Sequence, residues 1–301
     1  MKKTDFDLLH LSTGQMHLSL LPQQGGAIHG LTHGTTPLLR PTRPGANGLT
    51  TVRETASYPL IPFSNRIAGG RFSFAGKDYM IPCDERDPRH ALHGNALYAP
   101  WDILKTSTDH ALFHLAYEPT RRDTPFFPFS YDAEQVYEIT ETSLRISLRL
   151  KNTDTSAFPG GFGHHLYFSR LAQTIIRFQA AAMWESDAHN LPQTRTMEWQ
   201  RPFADGMMLN DTAFDNCFEK WTGTAEIIYP DAGYSLSITA SPLFGHTVLF
   251  TPPGKDYFAF EPVTHLNNAI NRNEPFAQTG LKILAPGEAM GGWIDLRFSK
   301  L

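Results

Sequence analysis

Between residues 144 and 150 the chain alternates, with Leu144, Ile146, Leu148 and Leu150 apolar and Arg145, Ser147 and Arg149 polar. Side chains leave a strand on opposite faces in turn, so this pattern predicts a β-strand with one buried side. Asn152-Thr-Asp-Thr-Ser156 reads as a turn. A second strand of the same hairpin then enters through Pro159 and carries His164 and His165 to opposite faces. One of the two imidazoles points inward. An inward histidine is most often a hydrogen-bonded core residue, so the segment needs support from elsewhere before it carries chemistry.

The two-residue rhythm recurs along the chain, at 16–20, 27–31, 72–74, 79–81, 101–104, 111–117, 131–139, 175–178, 225–229, 234–238, 247–250, 257–260 and 293–298. Turns such as Asp231-Ala-Gly233, Pro252-Pro-Gly254 and Ala285-Pro-Gly287 separate these runs at short intervals. No window of a dozen or so residues carries an apolar stripe of helical period. The expectation is an all-β chain, one domain over 1–301, built as a large antiparallel β-sandwich. Two segments break the rhythm. Residues 35–50 hold three prolines and two glycines and read as a long loop, of the kind that often carries function. Residues 58–66 contain Pro59 and Pro62, which predict an extended segment outside the central strands.

Composition narrows the function classes. A chain of 301 residues with 41% hydrophobic content can bury a substantial core. Its net charge is −4 and its Lys and Arg are scattered, so it lacks the basic stripe that a nucleic acid requires. No run reaches membrane-spanning length, and the two aspartates near the start interrupt any signal-peptide core, which predicts a soluble cytoplasmic protein with no membrane partner. Cys83 and Cys217 fit neither a zinc spacing nor a disulfide framework and read as reduced thiols. There are 13 histidines, but no His-Glu-x-x-His, and the adjacent pair cannot chelate one ion from opposite faces. No metal is expected; a site assembled across loops from His90, His93, His189, His246 or His265 is the remaining route. The nucleophile elbow Gly-x-Ser-x-Gly is absent, and the pairs Gly69-Gly70, Gly160-Gly161 and Gly291-Gly292 lack the Lys-Ser/Thr of a phosphate cradle and read as turns or bulges.

What remains is a carboxylate with a histidine. Glu261 ends an aromatic run and precedes Pro262, where pairing should stop, and partial desolvation there would raise its pKa and make it a better base near neutrality. The plain alternatives are an exposed strand-end glutamate for Glu261, an Asp-Asn turn for Asp215 and a solvated surface cation for Arg66.

Six motifs in order carry a resemblance: Ile61-Pro-Phe-Ser-Asn-Arg-Ile67 with Gly70-Arg-Phe72, Leu92-His-Gly94 with Trp101 downstream, Gly163-His-His-Leu-Tyr-Phe168, Phe214-Asp-Asn-Cys-Phe218, Phe260-Glu-Pro262 leading to Asn268-Ala-Ile-Asn271, and Leu284-Ala-Pro-Gly-Glu288. Together they resemble the aldose 1-epimerase (galactose mutarotase) family over roughly residues 16–298. The resemblance implies the galactose mutarotase-like supersandwich and an isomerase of carbohydrate metabolism that interconverts the α and β anomers of a hexose without a cofactor. It implies His165 as general acid, Glu261 as general base, and Arg66, His93 and Asp215 as residues that hold the sugar, with Phe260 or Trp184 beneath the ring. Two rival readings stand beside it. One is a non-catalytic carbohydrate-binding protein; the other is an epimerase of a hexose 6-phosphate, suggested by Arg53, Arg66, Arg71, Arg86 and Arg89 crowding the first third. Neither the particular sugar nor the oligomeric state is written in the chain.

Overall fold

Alternation in the sequence is realised as alternation in burial. In the strand Tyr131–Ile139 every second residue, from Tyr131 to Ile139, is buried, and Ser143–Asn152 repeats the pattern. The structure, a computed structural model, describes residues 7–44, 51–119, 126–210 and 212–301. Among these, strands form two large antiparallel sheets. The nine-stranded sheet runs Asp102–Thr106, His110–Tyr117, Tyr131–Ile139, Ser143–Asn152, Ala289–Lys300, Tyr234–Ala240, Thr224–Tyr229, Ile175–Phe178 and Met207–Met208. The eleven-stranded sheet runs Leu9–Thr13, Met16–Leu21, Ala27–His33, Ser57–Leu60, Gly163–Ser169, Tyr257–Val263, His246–Phe250, Asp215–Glu219, Ala182–Ser186 and Pro192–Thr196, with Thr36–Pro37 beside Ala27–His33. The β-sandwich expectation holds. No helix among the described residues is long and apolar enough to cross a membrane.

The two faces of the larger sheet have different tasks. Leu166, Phe168, Leu249, Phe258 and Phe260 point to the nine-stranded sheet and join its Phe113, Ile146 and Ile294 in one core. Phe178 and Phe260 meet across the layers with ring centroids 5.3 Å apart. Each fully buried side chain of this size contributes roughly 1.5–3 kcal/mol, which is ample to fix the register of the strands that carry them. Register fixed on one face fixes it on the other, where Tyr58, Tyr167, Trp184, Cys217, Val248, Ala259 and Val263 form a second, smaller cluster.

Four local expectations are corrected. The strand bearing the histidines does not form a hairpin with Ser143–Asn152: the chain crosses to the other sheet through Phe158–Gly160, which pairs with Lys282–Leu284. Pro59 lies within a central strand, opposite His164; the ladder toward Ala27–His33 has a single register pair, Ile28 with Ser57, so no donor is required of Pro59 on that side. Pairing also continues past Glu261, with Pro262 opposite Thr247, whose hydroxyl donates to the Glu261 carbonyl at 3.1 Å. The glycines before the histidines serve close approach rather than a turn. A Cβ on Gly161 would sit 2.2 Å from the His265 ring, and one on Gly163 would sit 2.8 Å from the Pro262 carbonyl oxygen.

Candidate active site

Gly163 pairs with Val263 and Leu166 with Phe260, a register that sets His165 directly across from Glu261. His165 is also paired with Tyr58 on its other side. The row continues from Glu261 through Val248 and Cys217 to Trp184. Two residues almost a hundred positions apart thereby become neighbours on rigid backbone, with His165 Nε2 3.1 Å from Glu261 Oε1. Both side chains are almost wholly buried, and His165 Nδ1 and Glu261 Oε2 have no hydrogen-bond partner. Buried polar atoms left unpaired are rare and costly, so a site that keeps two of them together is built to receive polar groups.

Burial first, then Asp215, pushes the Glu261 carboxyl well above its ordinary range, against Arg66 and Arg53. Burial first, then Arg53 and Arg40, holds His165 well below its ordinary value. Distance alone would allow an ion pair; the low polarity of the pocket favours instead a neutral couple that holds one proton between carboxyl and imidazole. The expected rise in the Glu261 pKa is therefore present, whereas an imidazolium at His165 is not the form that burial favours.

His164 faces the other way. Its Nδ1 meets the Ser57 hydroxyl and its Nε2 lies 3.4 Å from the Tyr137 hydroxyl of the opposite sheet, while burial drives its pKa down to about 3. It is the hydrogen-bonded core residue of the pair.

Arg66 carries a positive charge that acts on Glu261. Its Nε donates to Asp87 at 2.8 Å and its Nη2 to Asp215 at 3.1 Å, so the guanidinium is clamped between two carboxylates. Burial opposes its charge, but Asp215 and Asp87 raise its pKa on balance. Asp215 is no turn residue; it opens the strand Asp215–Glu219. His93 sits with its ring edge-on to His165, centroids 5.4 Å apart. Its backbone is left-handed, at φ 64°, and Gly94 behind it packs against the Ile61 carbonyl, where any Cβ would be 2.1 Å away. The Asn65 N–H donates to His93 Nδ1 at 3.1 Å, which puts the proton of the neutral ring on Nε2. Of the five residues singled out in the sequence, Glu261 and His93 meet His165, Arg66 meets Asp215, and the charges of Asp215 and Arg66 act on Glu261. Phe260, one of the two aromatics proposed beneath the ring, points into the core between the sheets, whereas Trp184 lies on the site face with Tyr58 and Tyr167.

Sequence reasoning missed Arg40. It lies in the unpatterned 35–50 loop, of which residues 45–50 fall outside the described residues. Its guanidinium is buried 3.7 Å over the Tyr167 ring and 4.6 Å from that of Tyr257, donates to the Thr55 carbonyl at 2.7 Å, and leaves Nε without a partner. Among the described residues no carboxylate meets it, and the Tyr167 ring beneath it lies 4.2 Å from that of His165. The only signal in the sequence was the length of the loop. Arg53, by contrast, is paired with Asp84 and with the Tyr98 hydroxyl. Among the described residues no three His, Cys, Asp or Glu side chains gather as a metal-holding group. His265, one candidate ligand, is committed instead to the Leu266 carbonyl and to the Ser64 N–H.

The aldose 1-epimerase family profile matches residues 7–297. YphB, an uncharacterized protein of Escherichia coli K12, is 30% identical over 302 residues, spanning 95% of this chain and 97% of that one. A solved structure from Escherichia coli K12, provisionally described as an aldose 1-epimerase, is 29% identical with a TM-score of 0.87 and covers 98% of this chain and 99% of its own. A galactose mutarotase-like protein from Clostridium acetobutylicum shares the fold at a TM-score of 0.86, with 18% identity, 100% of this chain and 97% of that one aligned. With a profile spanning nearly the whole chain and relatives of matching length, the chain belongs to the aldose 1-epimerase family.

Proposed function

We propose that the protein is a mutarotase, interconverting the α and β anomers of a free hexose at the His165–Glu261 pair. The observation that carries the reading is the 3.1 Å approach of a histidine nitrogen to a glutamate oxygen, both buried, on the face of the larger sheet turned away from the nine-stranded sheet. Anomer exchange requires loss of the proton on the C1 hydroxyl and gain of a proton by the ring oxygen. A pair holding one proton meets both needs at once. As the C1–O5 bond breaks and C1 becomes a carbonyl, Glu261 takes the hydroxyl proton and His165 gives its own to O5. Rotation about C1–C2 and the reverse transfers close the other anomer, so protons balance and nothing is consumed. The chemistry in this direction starts with the proton on His165, and the Oε1–Nε2 contact lets it cross from the carboxyl within the pair.

Arg66, clamped by Asp87 and Asp215, offers remaining N–H edges to sugar hydroxyls, and Asp215 offers acceptor capacity; the Nε2–H of His93 stands beside His165 as a further donor. The loop arginines that suggested a phosphorylated sugar are largely engaged: Arg53 lies against Asp84, Arg66 against Asp87 and Asp215, Arg86 against Glu54 and Arg89 near Asp87. Those arginines are thus held within the protein and give no support to a hexose 6-phosphate. Polarimetry of freshly dissolved α-glucose and α-galactose tests the reading and separates it from a binding protein without turnover. Wild type is expected to speed the drift to equilibrium and Glu261→Gln to leave it at the solvent rate; equal rates with and without wild-type protein would reject the enzyme.

A further inference from the structure

The His165 imidazole packs into a corner made by two tyrosines. Tyr58, across the ladder, has its ring centroid 4.7 Å away, and Tyr167, two residues along the same strand, has its ring at 4.2 Å. The two phenol hydroxyls lie 3.4 Å apart. An imidazole can turn about its side-chain bonds, so what keeps Nε2 toward Glu261 is the packing of these rings.

Each tyrosine is in turn covered by an arginine, and the two arginines differ. Arg53 lies 5.9 Å over the Tyr58 ring and is neutralised by Asp84. Arg40 lies 3.7 Å over the Tyr167 ring, within the range of a cation–π contact, and among the described residues no carboxylate meets it. Its backbone N–H donates to the Tyr167 carbonyl at 2.9 Å, and its Nη2 donates to the Thr55 carbonyl at 2.7 Å, which orients the guanidinium plane. The Tyr257 ring stands edge-on to that of Tyr167, with centroids 5.6 Å apart, and 4.6 Å from the same guanidinium. A side chain kept only to fill space behind Tyr167 would be apolar, since a buried cation without a counter-charge costs stability.

We propose that Arg40 is a positioning residue for the anomer exchange: it fixes the Tyr167 ring, and that ring keeps His165 Nε2 turned toward Glu261. The assignment rests on the mutarotase reading for its effect on rate and on the packed rings for its geometry. The charge of Arg40 reaches the pair as well. Bearing on His165 are Glu261 across the ladder, Tyr58, Tyr167 and His93 around its ring, His164 beside it in the strand, and Arg53 and Arg40; Asp215 and Arg66 act on Glu261. Both Arg53 and Arg40 oppose a second proton on the pair, and Arg40 does so with no carboxylate against it.

Arg40→Met removes the guanidinium plane and the charge, whereas Arg40→Lys removes the plane alone. In polarimetry of α-glucose and α-galactose, Arg40→Met is expected to lower kcat about tenfold with KM changed by less than about twofold, the mark of a misaligned proton-transfer group. The acid limb of its rate profile should move to higher pH; Arg40→Lys should restore the limb and only part of kcat. In a Tyr167→Leu background Arg40→Met should lower kcat no further, because the ring that transmits its effect is gone. Nitrogen NMR of labelled histidines follows the His165 ring without turnover, its signal assigned by its loss in His165→Gln, and the midpoint in Arg40→Met should lie above that of wild type. Arg40→Gln, which also removes the charge, serves where the Met variant folds poorly. A change confined to KM would put Arg40 on the sugar, and full additivity with Tyr167→Leu, or a His165 signal that titrates as in wild type, would make Arg40 plain packing; each overturns the assignment. Wild-type protein that accelerates no sugar would reject the mutarotase, and the NMR comparison would still uphold or overturn the link from Arg40 through Tyr167 to His165.

Discussion

His164 and His165 are consecutive, both are buried, and burial presses both imidazoles toward the neutral form, yet they belong to different regions. On the core face, His164 has Ser57 at one nitrogen and Tyr137 at the other. On the open face, His165 turns one nitrogen to Glu261 and leaves the other unpaired, as Glu261 leaves one oxygen. Leaving a buried polar atom unsatisfied costs about 1–3 kcal/mol. The core face uses its polar atoms for stability, and the open face forgoes that stability to keep its polar atoms available. What distinguishes the two regions is satisfaction, since burial is the same in both.

The sharpest way to break this comparison is to neutralise the open face without changing its shape. Glu261→Gln keeps the volume and removes the proton acceptor, and is expected to lower kcat by about 10²–10⁴. Its melting temperature should match or exceed that of wild type, because an amide can still meet His165 and removes an ionisable group from a buried site. Thermal unfolding and polarimetry on the same sample check both halves. A variant that loses stability in step with activity would place Glu261 in the structural class with His164.

Next in size is Arg66→Lys. A guanidinium reaches Asp87 through one nitrogen and Asp215 through another, and an ammonium cannot hold both at once. KM is expected to rise about tenfold with a smaller change in kcat, corresponding to one lost oriented contact worth roughly 1.4 kcal/mol. A fall confined to kcat would move Arg66 from holding the sugar into the proton-transfer step.

How far this division was legible in the sequence depends on the range of the interaction that makes it. Strands such as Tyr131–Ile139 and Ser143–Asn152 announce themselves because burial alternates locally along each. The partners of a strand are chosen across the whole chain, so the hairpin expected from the nearness of residues 150 and 163 yielded to pairing with Ser57–Leu60 and Tyr257–Val263. Pro59 and Pro262 obscured two central strands, since a residue that cannot donate is tolerated where the neighbouring ladder ends or a side chain such as Thr247 substitutes. Period two placed the two histidines on opposite faces, but only the register with Glu261 says which of them meets a carboxylate. Arg40 was invisible because its environment is two tyrosines and a carbonyl gathered from three distant segments.

On the core face, His164→Leu is the matching experiment. It deletes the ring nitrogens and strands the Ser57 hydroxyl in the core, an expected loss of about 1–3 kcal/mol read as a melting temperature lower by a few degrees. The folded protein should turn over sugar at nearly the wild-type rate. A large loss of rate in well-folded protein would mean that the two faces are coupled through the strand and would blur the division drawn above.

The smallest effect is an expected absence of change with pH. Ordinary values of about 4.3 for a glutamate and 6.5 for a histidine would give a narrow window, with the rate falling below the first and above the second. Burial moves the two groups outward: His165 lies well below its ordinary value and Glu261 well above. As pH falls, the pair accepts a second proton only at the lowered histidine value, and as pH rises it gives up its last proton only at the raised glutamate value. Between the two it holds one proton, whichever atom carries it, and titrates as a unit. The rate of mutarotation above the solvent background should therefore be level from about pH 4.3 to 6.5, with its limbs outside that span. A limb within it would show that water reaches the pair in the working enzyme and restores ordinary acidities, and the contrast between an unsatisfied open face and a satisfied core face would then hold only for the resting site.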